Sequence, residues 1–142
     1  RTVTDFHRAL GRILFRDCGM ERSRDGLLRA RSEIAALHQE FLQDARVPGR
    51  GSEINQELEH AGRTADYFEL AALMCEDALA RQESCGCHFR TEYQTAEGEA
   101  ARNDADFAHV AAWQYQGAAA QPLLHKEPLH FEYATPVERS YR

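Results

Sequence analysis

The stretch that decides how this chain folds covers residues 81–94 and reads RQESCGCHFRTEYQ. Upstream of it, apolar residues recur at the spacing of helices; downstream, short aromatic runs alternate with polar loops. The stretch itself holds the densest cluster of reactive side chains. We therefore expect a three-helix bundle over residues 1–94 that ends in this loop, and a C-terminal extension over residues 95–142 with short strands packed on the bundle or on a partner.

Two amphipathic helices are predicted at the start of the chain. Thr2 is expected to cap the first, with Asp5 three positions later, and this helix should run to about Asp17. Gly19 then stands where a helix often ends in the left-handed conformation, and Ser23 is expected to cap the second helix. The apolar positions recur every three or four residues and are Val3, Phe6, Leu10, Ile13 and Leu14 in the first helix, and Leu27, Ala30, Ile34, Leu37 and Phe41 in the second.

The third predicted helix is the longest. Residues 47–51 contain a proline and two glycines and should end the second helix, and Ser52 is expected to cap the third. A second apolar stripe of Leu70, Leu73 and Met74 predicts that its C-terminal half packs on two neighbours. Its main stripe keeps the three-four spacing at Ile54, Leu58, Ala61, Ala65, Phe68, Ala72, Cys75 and Leu79.

The arrangement of these helices follows from their connections. Three helices joined by short turns predict an antiparallel, spectrin-repeat-like three-helix bundle. At about 1.5 Å per residue, the third helix should extend beyond the first by roughly 20 Å. It should therefore carry residues 81–94 past the end of the first helix.

The C-terminal extension is predicted to contain short strands. Residues 107–115 are rich in aromatic residues and favour a strand, residues 117–121 favour a turn, and residues 123–126 favour the returning strand of a hairpin. Residues 129–133 favour a third short extended piece. Because a lone hairpin is marginally stable in water, it should pack on another surface. The predicted fold class is mainly α, a three-helix bundle followed by a loop-rich C-terminal region with a short β-hairpin.

Composition limits the function classes. The chain has 142 residues with 43% apolar content, which suits one domain. Its net charge of −6 and pI of about 5.6 disfavour a nucleic-acid partner, because such proteins carry a basic excess. No apolar run approaches the roughly 20 residues that a membrane span requires. The cysteines favour reduced thiols over a disulfide framework.

Residues 85–88, which read CGCH, are the first candidate for chemistry. Thiolate and imidazole suit zinc or iron, although a structural site needs a fourth ligand. The same residues suit a thiol nucleophile at Cys85 or Cys87 with His88 as base, but neighbours so close in sequence rarely face each other. A tight glycine turn after a helix is the alternative interpretation. The histidines available as a fourth ligand are His60, His109, His125 and His130.

Other motifs give weaker indications. The acidic residues of the loop are more typical of a solvated surface than of paired catalytic carboxylates. No glycine-rich nucleotide-binding loop occurs in the sequence. These residues alone predict a helical accessory or interaction module. The acidic residues in question are Glu83, Glu92, Glu97 and Glu99.

Residues 81–90 follow the pattern Arg-x-Glu-Ser-Cys-Gly-x-His-x-Arg. This pattern resembles the Arg-x-Glu-Ser-Arg-Gly-x-His-x-Arg loop in the C-terminal helical domain of the flavoprotein subunit of succinate dehydrogenase and fumarate reductase. Cys85 stands where many members carry Arg, so a role of that guanidinium is not transferred, and Cys87 stands where a small residue is usual. Further motifs in the family's order extend the resemblance over essentially the whole chain: FHRxLG from Phe6, VPG from Val47, NQEL from Asn55, EYQT from Glu92, AAW from Ala111, LHKEPL from Leu124 and RSY from Arg139.

The resemblance implies a division of labour within a larger subunit. In the family, succinate is oxidised to fumarate at FAD, which a dinucleotide-binding domain holds and a mobile capping domain covers. The flavin-attaching His and the substrate-binding and proton-transferring residues lie in those domains, and their motifs do not occur in this sequence. The resemblance therefore implies FAD in the parent subunit, but no catalytic, cofactor-binding or metal-binding residue and no cofactor in this chain.

The resemblance also implies a structural role for the loop after the third helix. The bundle is expected to pack on the flavin domain, and the loop is expected to dock there through charge-assisted hydrogen bonds. The residues expected at this domain interface are Arg81, Glu83, Ser84, Gly86, His88 and Arg90.

Partners and a location follow from the same resemblance. The expected partners are the flavin and capping domains of the same subunit and the iron–sulfur subunit, which passes electrons to quinone through a membrane anchor. No nucleic acid and no direct membrane span are expected. The chain should be cytoplasmic, peripheral on the cytoplasmic face of the inner membrane through the other subunits. As an isolated fragment it should expose an apolar face and self-associate.

Two alternatives stay open at this point. The chain is similar to the C-terminal domain of an L-aspartate oxidase, although residues 93–133 favour the dehydrogenase, and a stand-alone helical interaction module is the other alternative. Because the chain begins at Arg1 without an initiator Met, we expect it to be either a processed product or a piece of a longer protein. The residues do not distinguish succinate oxidation from fumarate reduction in the parent.

Overall fold

The computed structural model describes residues 1–49, 51, 54–117 and 120–137. In this part of the chain, three long helices pack against one another, and a short helix and a two-stranded hairpin follow. The predicted mainly α class is confirmed. None of the described helices has the length and apolar character that a membrane crossing would need. The elements are α1 (Val3–Asp17), α2 (Arg24–Asp44), α3 (Gln56–Ala80), α4 (Asp104–Phe107), β1 (His109–Gln114) and β2 (Leu123–Pro128).

The starts of α1 and α2 follow the predicted caps. The Thr2 hydroxyl accepts from the Asp5 N–H at 3.2 Å, and the Asp5 carboxylate accepts from the Thr2 N–H at 3.0 Å, which is a reciprocal capping box. Ser23 Oγ accepts from the Gly26 N–H at 3.1 Å. Each bond satisfies a backbone donor that has no partner inside its helix, so these two boundaries are set by local sequence.

The connection after α1 differs from the prediction. The helix ends at Asp17 as expected, but Gly19 does not adopt the left-handed conformation. The cap residue is Cys18, whose N–H donates to the Leu14 carbonyl at 2.8 Å. A Cβ on Gly19 would lie 2.5 Å from the carbonyl oxygen of Phe15. Glycine is therefore required here for a close backbone approach and not for a positive φ.

The start of α3 lies later than predicted. Its cap is Asn55, whose side-chain oxygen accepts from the N–H groups of Glu57 and Leu58, both at 3.1 Å. The predicted cap, Ser52, lies outside the described residues. Asn caps helices as well as Ser does, and Gly49 approaches the Asn55 side chain so closely that a Cβ would lie 2.1 Å from its amide nitrogen. Gly49 and the cap residue Asn55 thus lie against each other before α3.

Because α3 begins at Gln56, it extends beyond α1 by less than predicted. It has 25 residues and α1 has 15, a difference of about 15 Å where roughly 20 Å was expected. The first residues of the predicted apolar stripe lie outside the core, with Ile54 97% and Leu58 61% exposed. The stripe packs into the bundle only from Ala61 onward.

The bundle core uses most of the other predicted apolar positions. Phe6, Phe41 and Phe68 bring the three helices together, with ring centroids 5.3 Å apart in both the Phe6–Phe41 and Phe41–Phe68 pairs. Each buried side chain of this size stabilises the fold by about 1.5–3 kcal/mol. The second stripe behaves differently, because Leu70 is 54% and Met74 41% exposed. The second stripe is therefore only partly covered, although α3 does pack on two neighbours, α1 and α2.

The hairpin starts later and ends later than predicted. Asp104–Phe107 forms α4, which Asn103 caps, so β1 begins only at His109. β1 and β2 pair antiparallel along their whole lengths, and β2 continues to Pro128. Residues 129–133 form no strand, so the prediction of a third extended piece there is wrong. Leu129, the first of these residues, donates its N–H to the Ala108 carbonyl at 2.9 Å, and this bond joins it to the residue before β1.

Side-chain hydrogen bonds place β1 against the end of α3. Trp113 Nε1 donates to Asp77 Oδ1 at 2.7 Å. Two of the predicted hairpin-turn residues, 118 and 119, and the C-terminal residues 138–142 lie outside the described residues. The predicted division of the chain at residue 94 stays a prediction.

Candidate functional site: the loop after α3

The candidate site is the loop that follows α3, together with the start of α2 on which it lies. Its polar side chains bond mainly to one another and to backbone carbonyls and N–H groups. We call these side chains the loop network: Arg22, Arg81, Glu83, Ser84, His88, Arg90 and Glu92.

Arg81 and Glu83 connect the end of α3 to the C-terminal elements. The Arg81 guanidinium donates to Glu83 Oε1 at 2.7 Å and to the carbonyls of Phe107 and His109 at 3.1 and 3.0 Å. The other carboxylate oxygen, Glu83 Oε2, accepts from the Asn103 N–H at 2.9 Å. Glu83 is only 2% exposed. Its charge is therefore compensated inside the chain by one cation and one backbone donor.

Ser84 and Arg90 close the base of the loop. Arg90 N–H donates to Ser84 Oγ at 2.8 Å, and the Ser84 hydroxyl donates to the Arg90 carbonyl at 3.2 Å. The Arg90 guanidinium donates to the Ala78 carbonyl in the last turn of α3 at 2.7 Å and to Glu92 Oε2 at 3.1 Å, and it lies 5.4 Å from the centre of the Tyr93 ring. Both Ser84 and Arg90 are buried. Arg90 thus satisfies one of the carbonyls that a helix end leaves unpaired.

The CGCH segment is the tight turn that the sequence allowed as an alternative. Cys85 N–H donates to the His88 carbonyl at 2.9 Å, and His88 N–H donates to the Cys85 carbonyl at 3.0 Å. Gly86 has φ of +60°, which favours glycine at this position. Cys87 is exposed and Cys85 is partly buried, and both are free thiols. The turn is the exposed tip of the loop.

His88 is held as a neutral imidazole by its two neighbours. Its Nδ1 lies 2.8 Å from Arg22 Nη1, and its Nε2 lies 3.0 Å from the Arg81 carbonyl. Because a guanidinium can only donate, Nδ1 accepts and Nε2 donates. Burial, followed by the cations of Arg22, Arg90 and Arg81, lowers the pKa of His88 below its usual value, although the bond to the Arg81 carbonyl opposes this. With both nitrogens bonded, His88 is not placed to act as a base for Cys85 or Cys87.

The loop also pairs with the segment that precedes α2. Arg22 N–H donates to the Phe89 carbonyl at 3.0 Å, and Thr91 N–H donates to the Arg22 carbonyl at 2.8 Å. Glu92 Oε1 accepts from the Arg24 N–H in the first turn of α2, where a helix favours negative charge. Burial disfavours the Glu92 carboxylate, but the bonds from Arg24 and Arg90 outweigh it and hold the pKa of Glu92 below its usual value.

The sequence missed two members of this network. Arg22 is not among the candidate residues named from the sequence, and it lies 66 positions from His88. Glu92 was assigned to a solvated loop, yet it accepts bonds from both Arg24 and Arg90. The His-x-Arg motif at His88 does not indicate Arg22 as a partner. Which residue contacts this loop depends on how the helices pack, and the sequence does not state that directly. The signal that the sequence offered for Glu92 was its spacing, because it is an acidic residue two positions after Arg90 of the motif.

Neither sequence hypothesis about metal or thiol chemistry gains support at this loop. Among residues 1–49, 51, 54–117 and 120–137, no group of three or more His, Cys, Asp or Glu side chains is arranged to hold a metal ion. In the same residues, every buried side-chain nitrogen and oxygen has a hydrogen-bond partner. Of the histidines proposed as a fourth ligand, His125 Nε2 lies 2.8 Å from Gln114 Oε1, and His60 lies beside His7 on the bundle.

An open groove lies away from the loop, between α2, α3 and the hairpin. Its volume is about 700 Å³. Apolar side chains of Leu42, Leu70, Leu73 and Trp113 line it, and the ion pair of Arg31 with Glu76 stands among the lining residues. An exposed apolar surface of this kind favours contact with another protein surface. The self-association expected of an isolated fragment stays a prediction.

Comparisons with known proteins agree with this fold. The family model described as "Fumarate reductase flavoprotein C-term" matches residues 7–141. The fumarate reductase flavoprotein subunit of Haemophilus influenzae is 23% identical over 133 residues, which are 93% of this chain and 21% of that protein. The chain thus spans about a fifth of the length of this curated relative.

Two solved structures share the fold. One is the FrdA chain of E. coli quinol fumarate reductase, with a TM-score of 0.80 and 21% identity over 97% of this chain and 23% of that chain. The other is a quinol–fumarate reductase with menaquinol molecules, with a TM-score of 0.78 and 21% identity over 96% of this chain and 23% of that chain. Since the family model covers nearly the whole sequence, the chain belongs to the family of fumarate reductase flavoprotein C-terminal domains.

Proposed function

We propose that this chain is the C-terminal helical domain of a succinate dehydrogenase or fumarate reductase flavoprotein subunit, and that its role there is structural. The family match supports the assignment to such a subunit, and the fumarate reductase names of the relatives favour it over an L-aspartate oxidase. The chain corresponds to 21–23% of the relatives' length. The remainder of the parent would hold FAD and carry out the interconversion of succinate and fumarate.

The observation that carries the structural role is that the charged side chains of residues 81–90 form their bonds within this chain. Glu83 and Arg90 are each 2% exposed, and their charged groups bond to Arg81, to Glu92 and to backbone groups of this chain. A catalytic group must be able to touch the substrate or the cofactor. Side chains whose hydrogen bonds close a loop are suited to shaping a surface instead.

This distribution of bonds divides the six predicted interface residues into an inner group, a tip group and two residues between them. Glu83, Ser84 and Arg90 would act indirectly, by fixing the loop backbone from inside. Gly86 and the exposed Cys87 at the tip would touch the flavin domain, with Arg81 and His88 between the two groups. Docking through the tip requires only that the turn of residues 85–88 be rigid, and its two backbone bonds provide that.

The partners and location of the parent follow as part of the proposal. The flavin and capping domains of the same subunit would lie next to this chain, and an iron–sulfur subunit would exchange electrons between FAD and the quinone pool. The similar E. coli structure is named as a quinol fumarate reductase. The domain would lie on the cytoplasmic side of the inner membrane and be attached only through the other subunits.

The test uses the full-length parent subunit in its complex. In Glu83→Ala, the Arg81 guanidinium and the Asn103 N–H each lose a buried acceptor, so the loop should lose its fixed shape. We expect lower flavin content, less assembled complex and a lower melting temperature. The KM for succinate in the fraction that keeps FAD should not change, because Glu83 does not touch substrate. Glu97→Ala, in the exposed part of the loop, is the matched control.

Two results would contradict the proposal. Glu83→Ala could leave flavin content, assembly and melting temperature at wild-type values, in which case the loop network does not support docking. Alternatively, the variant could keep all its flavin and assemble normally but lose turnover, which would give the loop a catalytic role. His88→Ala, which frees Arg22 and the Arg81 carbonyl, should repeat the effect of Glu83→Ala more weakly.

A further inference from the structure

Two histidines from different helices meet on the surface of the bundle. His7 of α1 and His60 of α3 are 53 positions apart in sequence, and His7 Nδ1 lies 3.5 Å from His60 Nε2. The ring centroids are 5.6 Å apart, with an angle of 73° between the ring planes. A separation of 3.5 Å is longer than an ordinary hydrogen bond, so an N–H···N hydrogen bond between the two rings is weak.

We propose that His7 and His60 form a chelating site for a divalent transition-metal ion of the zinc, nickel or copper class. Imidazole nitrogens bind zinc at about 2.0–2.1 Å with tetrahedral geometry, which places two such nitrogens about 3.3–3.4 Å apart. The observed 3.5 Å separation therefore needs to shorten by only a few tenths of an ångström. Imidazole donors select this class of ion over magnesium or calcium, which prefer oxygen.

The surroundings leave room for an ion and hold one ring in place. His7 is exposed and His60 is partly exposed, so water can complete the coordination. The Tyr67 ring lies 5.4 Å from the His7 ring, which limits the orientations of His7. The charge of Arg63, one turn from His60, is paired with Glu59, which reduces its repulsion of an incoming cation.

Two protein ligands define what the site can do. In the described part of the chain no third His, Cys, Asp or Glu completes a closed structural centre there, so the ion would remain exchangeable and open to water. The ion would connect α1 to α3 on the outside of the bundle. Because only the folded chain brings the two histidines together, binding should stabilise the fold, and the gain should grow with the logarithm of the ion concentration above the dissociation constant.

The test is a titration of the untagged 142-residue chain with ZnCl₂ and NiCl₂, followed by calorimetry and thermal melting, with MgCl₂ as the control ion. The exposed thiols are competing soft ligands, so the titrations use a Cys85→Ser, Cys87→Ser background. We expect saturable binding of one ion per chain and a rise in melting temperature of about 2–8 °C at saturation. His7→Gln and His60→Gln should each weaken binding by about tenfold or more, and His130→Gln should not change it.

A second measurement tests the location without relying on a variant. Substoichiometric CuCl₂ should broaden the NMR signals of residues around His7 and His60 before any others. Binding that survives both His7→Gln and His60→Gln, broadening centred elsewhere, or binding that disappears in the Cys85→Ser, Cys87→Ser background would overturn the proposal. The absence of saturable binding below millimolar concentrations would overturn it as well.

Discussion

The bundle core and the loop network both remove side chains from water, but they do so with opposite chemistry. In the core, the rings of Phe6, Phe41 and Phe68 pack against one another, edge-on in one pair and tilted in the other. In the loop, Glu83, Ser84 and Arg90 are buried with their polar groups bonded. The core depends on volume, which many apolar residues can supply. The network depends on complete pairing, so the loss of one partner leaves another group buried and unpaired.

Removing a charged partner from the network should have the largest effect on stability. In Arg90→Ala, the Ala78 carbonyl loses its donor and the Ser84–Arg90 region loses its packing, so we expect a loss of about 3–5 kcal/mol from the unpaired carbonyl and the cavity together. Urea denaturation of the 142-residue chain measures it. Arg102→Ala removes a partly exposed ion pair with Asp104 and should lower the free energy of unfolding by at most about 1 kcal/mol. Equal losses in the two variants would show that the network is no more sensitive than the surface.

An isosteric change in the network should have the next largest effect. Glu83→Gln keeps the size of the side chain but points an amide NH₂ at either Arg81 or the Asn103 N–H, both of which are donors. One donor is then left without an acceptor, at a cost of about 1–3 kcal/mol. Denaturation of Glu83→Gln beside the surface control Glu97→Gln measures it. A loss within about 0.5 kcal/mol of the control would mean that the loop rearranges to satisfy both donors.

A comparable change in the core should be better tolerated. Phe68→Leu keeps the position apolar, and the neighbouring rings of Phe41 and His38 can move toward the smaller side chain. We expect a loss of less than about 1.5 kcal/mol. The comparison with Glu83→Gln is the informative one. If Phe68→Leu lowers the free energy of unfolding more than Glu83→Gln does, apolar packing and not hydrogen-bond pairing limits the stability of this domain.

The pH dependence of stability should report the network with the smallest effect. The pKa of His88 in the folded chain lies below the value of 6.5 for an unperturbed histidine. As the pH falls below about 6.5, the unfolded chain takes up a proton that the folded chain does not, so stability falls until the folded pKa is reached. Above about pH 6.5 the contribution is complete.

Denaturation at pH 7 and pH 5, compared between the wild type and His88→Gln, isolates the pH-dependent contribution of His88 to the free energy of unfolding. A Gln amide can accept from Arg22 and donate to the Arg81 carbonyl without titrating. The carboxylates with lowered pKa values, Asp5, Asp17 and Glu92, lose their contributions only below their unfolded values of 3.8, 3.8 and 4.5. A wild type that loses no more stability than His88→Gln over this interval would show that His88 titrates normally.

Sequence alone predicted the parts of the fold that local rules decide. Thr2 and Ser23 cap their helices because each cap bonds to residues within three positions. The start of α3 was mispredicted because Ser52 and Asn55 are both good caps, and the close approach of Gly49 to Asn55 depends on three-dimensional structure. Residues 129–133 resemble a strand in composition, but a strand needs an edge to pair with, and composition does not supply one.

The candidate site was predicted in its residues but not in its bonds. Arg81, Glu83, Ser84 and Arg90 stand out in the sequence, yet an Arg and a Glu at this spacing suit an interface as well as an internal pair. The structure assigns their bonds to this chain. Arg22 could not be inferred, because its contact with His88 exists only when the start of α2 lies beside the end of α3.

The pairing of Arg22 with residues 89–91 also sets an order on folding. Contacts within α1 and α2 close short stretches of chain, whereas this pairing joins positions nearly seventy residues apart and carries a higher entropic cost of closure. We therefore expect the Thr91 amide, bonded to the Arg22 carbonyl, to gain protection from hydrogen exchange after the amides inside the three long helices. The loop would then form only on a bundle that is already assembled. The tip would therefore become able to dock on the rest of a larger subunit only after this domain has folded.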